Sequence, residues 1–168
     1  MSMNEERTFW QKAGKWAARA TWRQALSVPV LYVALGAARG AVLVLPFRLY
    51  APLFGAPSTE PDEAEKASVL TPEAERNGAR ARRIGVIIEA VARFTPWKSN
   101  CLAQALVVAV CLRLLKIGFS VHFGVARTED AVTAVEAHSW VMVGAFPVTG
   151  FRESRGMTCV QTFEHAPA

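Results

Sequence analysis

The chain has 168 residues, 52% of them hydrophobic and only 20% charged, with a net charge of +5. That balance excludes a disordered chain, and the length suits one ordinary domain or a small domain with an appended helical segment. The positive charge invites acidic or amphipathic partners, but the bases are scattered over Arg7 to Arg23 and Arg76 to Lys98. No glycine-rich RNA motif, zinc finger or basic heptad region accompanies them, so nucleic acid is not an expected partner.

The first third reads as helix. Phe9, Trp10, Trp16, Ala20 and Arg23 recur at amphipathic spacings that set aromatics beside bases. The polar start, Met1 to Arg7, lacks the marks of a secretory signal, which makes a reducing cytoplasm the expected location and keeps the thiols free. Leu26 to Pro46 is nearly all apolar and approaches the length of a bilayer span. Arg39 lies well inside it, however, and a charge at mid-bilayer costs roughly 2.5–3.5 kcal/mol. Pro29, Gly36 and Gly40 also weaken one continuous helix, so a buried helical hairpin is expected. Peripheral contact of the basic, Trp-rich start with a membrane surface stays open.

Leu45-Pro46-Phe47-Arg48 and Phe54-Gly55-Ala56-Pro57 punctuate the chain, and Ser58 to Ala67 is polar and acidic, as a surface loop would be. Thr71-Pro72-Glu73 then opens a helix: threonine caps, proline fits the first position, and glutamate complements the dipole. It should run to about Phe94, with Ile84, Ile87, Ile88 and Val91 on one face, and end before Pro96. Asn100 caps another helix, which Gly118 stops. Beyond Gly118 the period becomes alternating. Strands are expected over 120–126, 136–143, near 146–149, and over 158–163, with a polar turn from Arg127 to Thr133. Helices first and an antiparallel sheet after them make an α+β protein. The organisation expected is a helical region over 1–57, suited to docking or to a membrane surface, a polar loop over 58–70, and a core over 71–168.

Two residues stand out in chemical terms. Cys101 falls at a helix start, where the unsatisfied N–H groups and the dipole favour thiolate over thiol. His138 falls in a strand, where an imidazole can accept or return that proton. Glu136, His138, Trp140 and Met142 share one strand face, and the small or aliphatic Ala137, Ser139, Val141 and Val143 share the other. Trp140 would shield the imidazole from water. Backbone amides at the helix start, with the Asn100 or Gln104 side chain, would hold a developing oxyanion. Cys111 and Cys159 read as core positions with no chemistry. Three cysteines without CxxC spacing give no metal site. The competing reading is a buried structural cysteine and an unrelated histidine.

Pro96-Trp97-Lys98-Ser99-Asn100-Cys101-Leu102-Ala103-Gln104-Ala105-Leu106, Leu114 to Phe119, Phe123-Gly124-Val125 and Ala137-His138-Ser139-Trp140-Val141 follow one another in order. In these segments, and in Leu45-Pro46-Phe47-Arg48 with Phe54-Gly55, the chain resembles the leader peptidases of lasso-peptide biosynthesis. These form the microcin-processing branch of the transglutaminase-like cysteine-protease superfamily. The resemblance covers about Trp22 to Phe163. It implies a papain- or transglutaminase-like core, with the nucleophile at a helix N-terminus packed on an antiparallel sheet. It also implies a cysteine endopeptidase that works through a thioester, with Cys101 as nucleophile and His138 as base.

By the same resemblance, the substrate is a ribosomally made precursor, cut in its leader before a separate ATP-dependent cyclase closes a macrolactam ring. The family's orienting carboxylate would fall near Gly150, beside Thr149, where this chain has no Asp. Glu136, Glu153 or Asp130 would have to substitute, or a backbone or amide oxygen would hold the ring. Losing the right tautomer is costly, although a Cys–His pair can act as a dyad. The helical first half has no strand-rich leader-binding module, so a separate leader-recognition protein is expected beside a stand-alone peptidase. No cofactor binds the chain directly on this reading, and any ATP dependence would come through the cyclase. The rival is a non-catalytic adaptor that delivers precursor to partner enzymes, at a membrane or in solution.

Overall fold

A computed structural model describes residues 22–58, 71–97, 100–127 and 135–167. The amphipathic start around Phe9 and Trp16, the acidic loop after Ser58 and most of the polar turn after Arg127 lie outside them. Among the described residues, four helices accompany a five-stranded antiparallel sheet, the α+β arrangement that the change of period at Gly118 predicts.

The first helix, α1 (Trp22–Val44), is one run of 23 residues with Pro29 inside it. This corrects the hairpin expected between Leu26 and Pro46. Pro29 loses one hydrogen bond and crowds the preceding turn, but of the residues that read as breakers Gly36 serves packing instead. Gly36 brings α1 against the ring of Trp97, which would lie 3.2 Å from a Cβ added there. Tyr32 meets the same ring edge-on at 5.2 Å, and Leu35 and Ala38 are buried alongside. That packing offsets the ~1 kcal/mol of helix propensity a glycine lacks. The other side of α1 leaves Val30, Val33 and Val44 exposed. Among the described residues no helix is long and apolar enough to cross a membrane.

A short helix, α2 (Phe47–Tyr50), and a 3₁₀ turn (Ala51–Leu53) lead to β1 (Ala56–Ser58). Alternation could not reveal β1, because three residues show no period and Pro57 speaks against a strand. It is tolerated because β1 is an edge strand, with one side unpaired. The Arg113 guanidinium fastens this segment, donating to the Leu53 and Pro52 carbonyls at 2.8 Å each.

The next helix, α3 (Pro72–Ala92), begins where its capping residues predict. Thr71 Oγ1 accepts from the Ala74 N–H at 3.1 Å, with Pro72 at the first position and Glu73 and Glu75 in the first turn. Its buried face holds Ile88 and Val91, but also Gly78, Ala81 and Gly85. Those small residues lay the helix directly on strand β4 (Phe146–Thr149), and a Cβ at position 85 would stand 2.0 Å from the Val148 carbonyl oxygen. The last helix, α4 (Cys101–Leu114), is buried along most of its length, from Ala103 through Leu112.

The remaining strands are β2 (Phe119–Arg127), β3 (Val135–Val143) and β5 (Thr158–His165), in the order β1-β5-β2-β3-β4. The cross-strand partners Val121 and Val141 are fully buried in the core shared with the helices. Phe123 and Phe163 extend that face beneath the buried Phe54, with ring centroids 5.7–6.3 Å apart. Burying a side chain of this size contributes ~1.5–3 kcal/mol. The result is a rigid sheet that presents β3 to the start of α4.

Candidate active site

Cys101 is the first residue of α4, and Asn100 is its cap. Asn100 Oδ1 accepts from the Ala103 N–H at 3.3 Å, and its carbonyl accepts from the Gln104 N–H at 3.2 Å. Two of the first four helical N–H groups are thereby satisfied. The amides of Cys101 and Leu102 head the helix with no intrahelical acceptor, which is how an anion site at a helix start arises. Asn100→Ala should therefore lower stability by about 1 kcal/mol, seen as a fall in Tm of roughly 3 °C in thermal unfolding.

His138 is half-buried in the middle of β3. Its Nε2 lies 2.8 Å from the carbonyl oxygen of Gly150. A carbonyl can only accept, so Nε2 donates, and the neutral ring carries its basic lone pair on Nδ1. Gly150 occupies the left-handed region, with φ of 72°. A Cβ there would stand 2.6 Å from the Ser139 carbonyl oxygen and 3.0 Å from His138 Nε2, so only glycine fits. The Gly150 N–H in turn points to Glu89 Oε1 at 3.4 Å.

Cys101 and His138 line one cleft of about 290 Å³. α4 adds Gln104 to its wall, α3 adds Glu89 and Arg93, and the turn after β4 adds Gly150 and Glu153. Of the carboxylates expected to orient the imidazole, Glu153 reaches the cleft but is exposed, and Glu136 is exposed on β3 away from the lining. Asp130 lies outside the described residues. The oxygen that bonds the ring is the main-chain one of Gly150. Gln104 lines the cleft, whereas the Asn100 side chain is engaged in capping.

Trp140, expected to shield His138, stacks on His122 at 5.4 Å with 11° between the rings. The register explains this: Trp140 pairs with His122, and its ring leans over Gly124, where a Cβ would come within 2.7 Å. One expectation is corrected here: Cys159 is not a core residue. The register shift between Phe123 and Gly124 turns it toward His122, with Sγ 4.0 Å from Nδ1 and 3.6 Å from Thr162 Oγ1. His122 is bonded at both nitrogens, to Ser120 Oγ at 2.9 Å and Thr162 Oγ1 at 3.1 Å, and burial holds its imidazole below the usual range. Cys111 packs against the core as expected, and burial pushes its thiol up. Among the described residues no three His, Cys, Asp or Glu side chains gather as metal ligands would.

Gly150 and Glu89 are the parts of the site that composition and spacing did not supply. Position 150 entered only through the resemblance, as the place where the orienting carboxylate is lacking. For Glu89 the one available signal was a lone carboxylate inside the apolar run Ile87-Ile88-Glu89-Ala90-Val91.

A cysteine-headed helix packed on an antiparallel sheet, facing a histidine from one strand, defines the papain- and transglutaminase-like class. The model of the Transglutaminase-like superfamily matches residues 41–162, well over half of the chain, and the chain belongs to that superfamily. The superfamily commonly includes cysteine peptidases and transglutaminases. No curated protein and no solved structure matches the chain.

Proposed function

We propose that this protein is a cysteine peptidase that removes the leader from a ribosomally made lasso-peptide precursor before macrolactam cyclisation. The observation that carries the reading is the shared cleft, with Cys101 at the head of α4 and His138 held through Nε2 so that Nδ1 is the basic atom. His138 Nδ1 takes the Cys101 thiol proton, and the sulfur adds to the scissile carbonyl. The amides of Cys101 and Leu102, with Gln104 nearby, receive the oxyanion. Collapse expels the core peptide's amine, which takes the proton from His138. The leader is left as a thioester on Cys101, and water deprotonated by His138 then cleaves it. The motif order from Pro96 to Val141 supports the choice of substrate.

The partners belong to the same proposal: the precursor's leader region, a separate leader-recognition protein and an ATP-dependent cyclase. ATP would enter through the cyclase. The exposed Val30, Val33 and Val44 of α1 suit a docking surface for such partners. The division proposed is a helical region over 1–57, a loop over 58–70 and a peptidase core over 71–168, with Phe54 and β1 packed onto that core. The location proposed is cytoplasmic, with or without peripheral membrane contact.

The test mixes the purified chain, a leader-recognition protein and a precursor, and weighs the products. Separate leader and core masses support the proposal; intact precursor after prolonged incubation overturns it. Thiol labelling separates it from the adaptor reading. Cys101 should react with iodoacetamide near neutral pH faster than Cys111, whose thiol burial pushes up. Equal, slow labelling of Cys101, Cys111 and Cys159 would favour the adaptor.

A further inference from the structure

We infer that Glu89 is a positioning residue for the Cys101–His138 pair: it grips residue 150 from the side opposite the imidazole. The inference rests on the peptidase reading above. Gly150 has the freest backbone of any residue type, yet its carbonyl must stay aimed at His138 Nε2 for Nδ1 to remain the base. His138 alone cannot provide that, since the ring is the group being oriented. The second grip comes from α3. Glu89 is half-buried at the cleft, and its Oε1 accepts from the Gly150 N–H at 3.4 Å.

At 3.4 Å the contact is at the long end for such a bond. What makes Glu89 a fixed point is the helix beneath it. Gly78, Ala81 and Gly85 press α3 onto β4, and Glu89 follows Gly85 by about one turn. β4 runs straight into Gly150. Helix and strand therefore hold donor and acceptor in one rigid frame, and residue 150 is bonded at its N–H by Glu89 and at its carbonyl by His138. An exposed carboxylate such as Glu153 lacks that support.

Two variants of the full chain test this, each read by leader release and by the His138 tautomer from ¹⁵N shifts of the ring nitrogens. Glu89→Ala should lower kcat roughly 10- to 100-fold with KM within about twofold, and should mix the Nδ1–H form into a ring that is otherwise Nε2–H. Glu89→Gln keeps an oxygen that accepts from the Gly150 N–H, and should return both readouts to within about threefold of the natural chain. An alanine variant unchanged in rate and tautomer overturns the inference. So does a glutamine variant as impaired as alanine, which would assign the role to the charge. The tautomer requires no substrate. A natural chain that keeps the Nε2–H form but releases no leader would defeat the substrate assignment and leave Glu89 in place.

Discussion

Cys101→Ala is expected to leave no measurable leader release, with kcat at least about 10⁴-fold below the natural chain. The sulfur is the only protein atom in the scheme that bonds to the scissile carbonyl carbon, and an alanine methyl has no lone pair to offer. His138→Ala should fall nearly as far. Without the ring, nothing described at the cleft takes the thiol proton along the same path. The double variant should be no slower than either single one, because the two side chains act as a unit. Neither residue belongs to the buried core, so circular dichroism and Tm should stay close to those of the natural chain. Normal precursor processing by either variant would remove both residues from the mechanism.

The second large effect is on stability, and it turns on one substitution made at two places. Gly85→Ala should destabilise the fold by about 3 kcal/mol, a fall in Tm of roughly 10 °C. The new methyl would meet the Val148 carbonyl oxygen at 2.0 Å, a main-chain atom that cannot swing aside. Helix α3 must lift from β4, carrying Glu89 away from Gly150, so activity should fall with stability. Gly40→Ala, in the interior of α1, should do the reverse. Among the described residues nothing lies within 4 Å of the Cβ it would add, so the helix gains the usual 0.5–1 kcal/mol or so of alanine over glycine, and Tm rises by roughly 2 °C. Equal shifts for the two variants would mean that α3 does not rest on β4 as described.

These two glycines also mark where sequence reading succeeds and fails. Helix starts were legible at Thr71 and Asn100, because a capping side chain must precede a run of helical residues and few residue types can do that. The sheet was legible because alternation flips faces residue by residue. Position 85 was silent: a glycine inside a helix advertises flexibility, and only the strand lying across it shows that the absence of a side chain is the point. Pro29, Gly36 and Gly40 misled in the opposite direction, suggesting a break in α1 that the packing of Gly36 on Trp97 and the burial of Leu35 override. Cys159 was misplaced because one bulge reverses which face a strand residue joins, and bulges have no reliable local pattern. At the site, Cys101 and His138 were visible as residue types in suitable elements. For the group that orients His138, the resemblance pointed near position 150 and left a backbone oxygen among several candidates; a peptide oxygen exists at every position, and only the fold selects that of Gly150.

That last feature alters how the site would look to genetics. Where a side-chain carboxylate orients the imidazole, systematic replacement of polar residues by alanine uncovers three indispensable positions. Here such a survey would return the thiol and the imidazole as indispensable and Glu89 only as a partial loss, because the peptide oxygen that bonds the ring survives every ordinary codon change. The missing third hit would emerge among the glycines, at position 150, and would be misfiled as a folding defect by anyone searching for an acid.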